Sequence, residues 1–194
     1  MFDLIIIGAG PAGIAAAYEA KKVELDYLVI EKGLIANTIY NYPVGLTVFS
    51  TTNELEFEPG GLKPAREKPT REELLSYYVR FVLDNELNIQ TEERVAGVCV
   101  SPHVSKGDTS SVSVPPLLTC GLALGSRAFI VTTDRGDYET RNVLFAVGAM
   151  DYPRKLNVPG ENLPKVYDHF RETYPWVKKK ALIVGGGNSA GEAA

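Results

Sequence analysis

The sequence predicts an α/β chain: a parallel sheet carrying a β-meander, followed by the first strand of a second, truncated unit of the same kind. Three observations predict it. The isoleucine-rich run Phe2–Ile7 breaks into a glycine cluster and then into a run of small helix formers. The same succession returns at the far end, where Ala181-Leu182-Ile183-Val184 runs into three consecutive glycines. Between them, short apolar runs flank Asp134-Arg135-Gly136-Asp137, a turn sequence that closes a hairpin.

The first cluster reads Gly8-Ala9-Gly10-Pro11-Ala12-Gly13 and leads into Ile14-Ala15-Ala16-Ala17-Tyr18-Glu19-Ala20. An apolar strand, a G-x-G-x-x-G turn and a helix, in that order, form a dinucleotide-binding fingerprint. Gly8 permits the tight turn, Gly10 lets the backbone approach a pyrophosphate, and Gly13 lets helix and strand pack closely. The helix N-terminus then presents unpaired N–H groups and a partial positive charge to the phosphates. Pro11 suits the first helical turn, where its missing donor costs nothing. A second strand, Tyr27–Ile30, ends in Glu31, 18 residues past Gly13, where a carboxylate can accept hydrogen bonds from ribose hydroxyls. The plainer alternative is a chance glycine pattern beside a surface glutamate.

Residues 33–69 read mostly as loop, with four prolines and a Gly60-Gly61 pair. Thr70-Arg71-Glu72-Glu73 is a capping box that opens a helix with Leu74, Leu75, Tyr78, Phe81 and Val82 at helical spacing. Short strands follow from Ile89 and over Val95–Val100, Phe129–Thr133 and Tyr138–Arg141. Val143–Val147 reads as a further strand of the buried type, ending in Gly148. Ser101–Arg127, rich in Ser, Thr, Pro and Gly, reads as a flexible insertion into the meander. At the far end Gly185-Gly186-Gly187-Asn188-Ser189-Ala190 is the G-x-G-x-x-A variant of the fingerprint. Lys178–Lys180 before it reads as a solvated strand entrance rather than a phosphate clamp.

Composition narrows the function. Lys and Arg number 20 against 24 Asp and Glu, a net charge of −4, so neither nucleic acid nor an anionic membrane is an expected partner. No apolar run approaches the roughly 20 residues that cross a bilayer. Asp3 opens the first run and no small-residue cleavage pattern follows, so no secretory signal is expected. Cys99 and Cys120, 21 apart, form neither a disulfide framework nor a metal cluster and suit a reducing cytoplasm.

Two fingerprints in one chain resemble the two-dinucleotide-binding-domain flavoproteins, and Leu144-Phe145-Ala146-Val147-Gly148 resembles that group's strand and Ala-Thr-Gly signature, with Val147 in place of Thr. Several further segments resemble the thioredoxin-reductase-like branch, and within it the bacillithiol disulfide reductase-like oxidoreductases. They are Ile39-Tyr40-Asn41-Tyr42-Pro43, Phe49-Ser50-Thr51, Arg66 to Leu75, Val158-Pro159-Gly160-Glu161-Asn162-Leu163-Pro164 and His169-Phe170. The resemblance implies FAD on the first fingerprint and NAD(P)H on the second. It places the FAD contacts at Gly8, Gly10, Pro11, Ala12, Gly13, Glu31, Lys32, Tyr42, Val95, Ala146 and Gly148. The pyridine-nucleotide contacts fall at Gly185, Gly187, Asn188, Ser189 and Ala190. Tyr42 either approaches the isoalloxazine or packs on its own loop. No catalytic residue and no metal site is implied.

The implied domains are 1–150 for FAD, with the insertion 101–127, then a connector 151–180 and the start of an NAD(P)H domain at 181–194. On this reading the chain is an N-terminal fragment or a truncated gene product. Three departures shape the chemistry. Val158–Lys180 holds no Cys-x-x-Cys, Ala12 stands where members of the bacillithiol branch often carry Cys, and Gly160 and His169 are too far apart for the monooxygenase Phe-x-Gly-x-x-x-His motif. The implied activity is hydride transfer from NAD(P)H to FAD and on to a small-molecule acceptor, such as a low-molecular-weight disulfide, with a homo-oligomer left open. The alternative is a non-catalytic nucleotide-binding remnant.

Overall fold

The computed structural model describes residues 1–100, 128–150, 153 and 155–194; the expected insertion Ser101–Arg127 therefore lies outside the described residues. The chain divides into two units, Met1–Asn37 with Ser76–Gly148, and Thr38–Leu75 with Ala149–Ala194.

The first unit is a six-stranded sheet of order β3-β2-β1-β6-β5-β4. Strand β1 (Phe2–Ile7) pairs in parallel with β2 (Tyr27–Ile30) on one side and with β6 (Asp137–Phe145) on the other. Strand β2 also pairs in parallel with the two-residue β3 (Ile89–Gln90). Strands β4 (Val95–Val100), β5 (Phe129–Thr133) and β6 form the expected antiparallel meander. The α/β class with a parallel sheet and a meander is thus the architecture observed.

Both faces of β1 are covered, which is why it reads as a continuous apolar run rather than an alternating one. Ile5 and Ile7 pack with Leu28, Ile30 and Val131, joined by Val95, Val98, Tyr138 and Val143 from the meander. Helix α1 (Pro11–Lys22) packs on β1 and β2, burying Gly13, Ile14, Ala17 and Ala20 along one stripe. The small side chains in that stripe let the helix lie close to the sheet. Tyr18 meets Phe81 edge to face, with ring centroids 4.8 Å apart. Phe81 belongs to α4 (Arg71–Asp84), whose apolar positions Leu74, Tyr78, Phe81 and Val82 are all buried.

In the second unit the capping box of α4 forms as read. The Thr70 N–H donates to Glu73 Oε2 at 2.8 Å, and the Glu73 N–H donates back to the Thr70 hydroxyl at 3.3 Å. Residues 33–69 are less purely loop than expected. They contain the one-turn helices α2 (Asn37–Tyr40) and α3 (Thr52–Leu55), the latter with its own Thr51–Glu54 capping box. A 3₁₀ turn at Tyr174–Trp176 and helix α5 (Asn188–Ala193) complete the unit.

Two expectations are corrected. Val143–Val147 is no separate buried strand: its first residues continue Tyr138–Arg141 as the single strand β6, with Leu144 38%, Phe145 64% and Val147 58% exposed. Apolar composition marked a strand end, but among the described residues of this unit nothing covers it. Ala181–Val184, read as the first strand of a second sheet, forms no strand. Strand structure needs an edge to pair with, and among the described residues this segment has none; Leu182 is 88% exposed. No helix among the described residues is long and apolar enough to cross a membrane.

Candidate functional site

The first glycine turn stands where β1, β2 and β6 end together. Gly8 has φ +108°, in the region that favours glycine, and a Cβ added there would lie 2.4 Å from the Ala146 carbonyl oxygen. Its N–H donates to the Ile30 carbonyl at 2.8 Å, while the Ala146 N–H donates to the Ile7 carbonyl at 2.8 Å. Gly13 is tighter still, since its added Cβ would fall 1.9 Å from the Gly8 carbonyl oxygen. Gly10 differs. It is the N-cap of α1, with Pro11 as the first helical residue, and a Cβ there would meet nothing within 4 Å. Two glycines are thus required by the protein's own atoms, and the middle one faces open space that a ligand backbone could fill. No side chain caps α1, so its first-turn donors remain for an anion.

Glu31 is only 7% exposed, which rules out the surface alternative. Its Oε2 accepts the Ala9 N–H and its Oε1 accepts the Gly33 N–H, both at 2.8 Å. The carboxylate therefore clamps the glycine turn to the end of β2. Each oxygen keeps a second lone pair, so two acceptor positions remain for hydroxyl donors. Ala9 and Gly33 were not singled out from the sequence, although Gly33 lies two residues past Glu31, where a short turn brings its N–H back to the carboxylate. Lys32 beside them is exposed, and Ala12 is exposed on the first turn of α1.

Val95 opens β4 at a register shift, with its side chain against the Ile5–Leu28 cluster. Ala146 sits under the glycine turn as described, and Gly148 follows with φ +69°. Next to Val95, Glu93 is fully buried, accepting from the Thr133 hydroxyl at 2.6 Å, with the Arg135 guanidinium 3.9 Å away. A Glu-Glu-Arg run reads as surface in a sequence, so this anchor of the hairpin was not legible there. Burial, with Glu93 as neighbour, pushes the Tyr138 phenol above its ordinary range.

In the second unit Tyr42 is half-buried and lines a cavity of about 160 Å³ with Tyr40, Val44, Arg71, Arg171 and Glu172. Gly185, Gly187, Asn188 and Ser189 are exposed and Ala190 is half-buried. Gly185 has φ +142°, Gly187 caps α5, and the Ala190 N–H donates to the Gly187 carbonyl at 3.1 Å. His169 pairs with Asp168 at 2.8 Å on an exposed surface. Among the described residues no cluster could hold a metal.

A parallel sheet whose first strand ends in this turn, with a buried acid after the second, is the arrangement of the dinucleotide-binding class of α/β folds. The chain belongs to the family described as pyridine nucleotide-disulphide oxidoreductase, whose profile matches residues 5–109 and 122–194. It is 34% identical over 98% of its length to bacilliredoxin reductase Bdr of Bacillus subtilis, covering 52% of that relative. Two solved structures are similar. Bacillithiol disulfide reductase Bdr (YpdA) from Staphylococcus aureus has a TM-score of 0.81 at 32% identity, with 99% of this chain and 52% of that one covered. The protein of the same name from Bacillus cereus has a TM-score of 0.80 at 35% identity, covering 100% and 54%. The resemblance read from the sequence is borne out, and the chain spans about half the length of the relatives it matches.

Proposed function

We propose that the first unit seats the ADP half of FAD, and that the protein is a flavoprotein oxidoreductase taking hydride from NAD(P)H for a small-molecule acceptor. The observation that carries the reading is the geometry of Gly10 beside Glu31: an open approach to a helix N-terminus, next to a buried carboxylate with two free acceptor positions. Gly8 and Gly13 hold the turn, the α1 donors and the Gly10 backbone receive the pyrophosphate, and Glu31 orients the ribose. Val95 and Lys32 flank the adenosine side, and Ala146 and Gly148 carry the chain past the flavin side. Bound there, the flavin supplies the two-electron chemistry that side chains lack.

The name of the two solved relatives, bacillithiol disulfide reductase, supports a low-molecular-weight disulfide as the acceptor. Gly185, Gly187, Asn188, Ser189 and Ala190 are assigned to the pyridine nucleotide, residues 1–150 to the FAD domain, 101–127 to an insertion, and 151–180 to the connector. We place the protein in the cytoplasm, where its two cysteines remain thiols.

The test is a titration of flavin fluorescence with the purified chain. FAD quenches saturably, ADP displaces it, and FMN, which lacks the adenosine half, does not. FMN competing as well as ADP, or no FAD binding, would overturn the assignment.

A further inference from the structure

The cavity of the second unit carries a feature that the cofactor reading does not use. Two arginines 100 residues apart in sequence converge on one tyrosine: the guanidinium carbons of Arg71 and Arg171 each stand 5.4 Å from the Tyr40 ring centroid. Both are held from behind. Arg71 donates to the Tyr40 carbonyl at 2.6 Å and pairs with Glu72 at 2.7 Å, and its side chain is only 12% exposed. Arg171 donates to the Asn41 side-chain oxygen, and its own carbonyl accepts the Val44 N–H at 2.7 Å. Among the described residues Arg171 has no carboxylate partner. The Arg71 Nε–H is buried and makes no hydrogen bond. An unmade hydrogen bond at a buried charged donor is costly.

We infer that this cavity is a carboxylate subsite, and that the acceptor reduced by the protein carries a carboxylate end group that docks between Arg71 and Arg171. The inference rests on the function proposed above. A volume of about 160 Å³ falls below the roughly 300–1,000 Å³ of sites that enclose a whole small molecule, so the cavity takes one end of a larger ligand. Guanidinium forks match planar carboxylates in paired hydrogen bonds, and a small turn of Arg71 toward the ligand would satisfy the idle Nε–H. Charge selects a monoanion. Glu172 lines the same cavity and Glu72 already neutralises Arg71, so a phosphate dianion meets more repulsion than a single carboxylate.

The test observes the Arg71 Nε–Hε resonance of the purified chain by ¹⁵N-correlated NMR. Propionate and the dicarboxylate disulfide dithiodiglycolate are each expected to shift it saturably, against sodium chloride at equal ionic strength. Cystamine, a disulfide with amines instead of acids, is expected to leave it unmoved. The Arg171→Gln variant should bind dithiodiglycolate about three- to fivefold more weakly, the size of a lost exposed charge contact, while FAD affinity is unchanged. A response equal to that of chloride, or one shared by cystamine, overturns the subsite. So does an unaltered dithiodiglycolate titration in Arg171→Gln. Carboxylate binding without FAD binding would instead overturn the cofactor reading and leave the subsite standing.

Discussion

At Gly8 an added Cβ would lie 2.4 Å from the Ala146 carbonyl oxygen, and at Gly13 1.9 Å from that of Gly8. At Gly185, Gly186 and Gly187 the tightest such approach is 3.4 Å, to the Ala190 Cβ. The two turns share the spacing of one fingerprint, and each opens a helix at a glycine with no side-chain cap. They differ in what surrounds them. The first follows a strand whose Ile5 and Ile6 are fully buried, whereas the second follows a segment with Leu182 88% exposed. Glycine is therefore demanded at the first turn by neighbouring atoms, and at the second chiefly by the backbone angle of Gly185. A fingerprint specifies a path of the chain; the packing around that path decides what each glycine is worth.

The largest expected effect tests the third position. Gly13→Ala should cost about 3 kcal/mol or more in denaturant unfolding, because a backbone oxygen cannot yield to the new methyl. Ala190→Gly should change stability by no more than about 1 kcal/mol. Equal costs would break the comparison. At the first position Gly8→Ala combines a forbidden angle with a clash and should cost roughly 2–3 kcal/mol, against about 1 kcal/mol for Gly185→Ala, which suffers the angle alone. Matching shifts in unfolding midpoint would mean that contact adds nothing to conformation.

The middle position should separate binding from stability. Gly10→Val places its side chain in open space, so the unfolding midpoint should hold while FAD affinity falls about thirtyfold, its pyrophosphate path blocked. Undiminished FAD quenching in that variant would remove the first turn from the site. Glu31→Ala deprives the Ala9 and Gly33 N–H groups of their acceptor and should cost roughly 1–2 kcal/mol of stability. It should also weaken FAD binding, and an unchanged titration would confine Glu31 to a structural clamp.

The smallest effect comes from acid. Glu73 is held below its ordinary 4.5 by the Thr70 N–H first, then by the Ala65 N–H and the Thr70 hydroxyl. A carboxyl lowered in the folded state stabilises fully above its unfolded value, and that contribution is lost as pH falls through the folded value. Acidification below pH 4.5 should therefore loosen the start of α4, visible as titration of the Thr70 and Ala65 amides. The glycine-capped starts of α1 and α5 have no such cap to lose. A Thr70 amide that titrates at or above 4.5 would mean that the cap does not hold.

Local chemistry made much of this legible. The strand, turn and helix at Phe2–Lys22, the Thr70 capping box and the Asp134–Asp137 turn all depend on residues within a few positions of one another, and Glu31 was legible by its fixed place at the end of the next strand. What escaped depends on distant partners. Ala181–Val184 has the composition of a strand, but composition cannot supply the neighbour that makes it one. The exposure of Leu144 and Phe145 depends on what lies over the sheet. Nothing in the capping box around Arg71 points to Arg171, 100 residues further on, and Glu93 is buried by a hairpin 40 residues further on.

The junction of Gly8 with Ala146 sets an order of events during synthesis. Strand β1 can pair with β2 once residue 30 is made, but its other edge waits for β6, which ends at Phe145. At about 5–20 residues per second the wait is of the order of ten seconds. Until then one side of an isoleucine-rich strand offers unpaired N–H and C=O groups to any extended chain nearby. A nascent chain stalled before residue 137 would hold the glycine turn without the strand that closes it. Its yield in cells should then depend more on elongation rate and chaperone supply than on the stability of the finished fold.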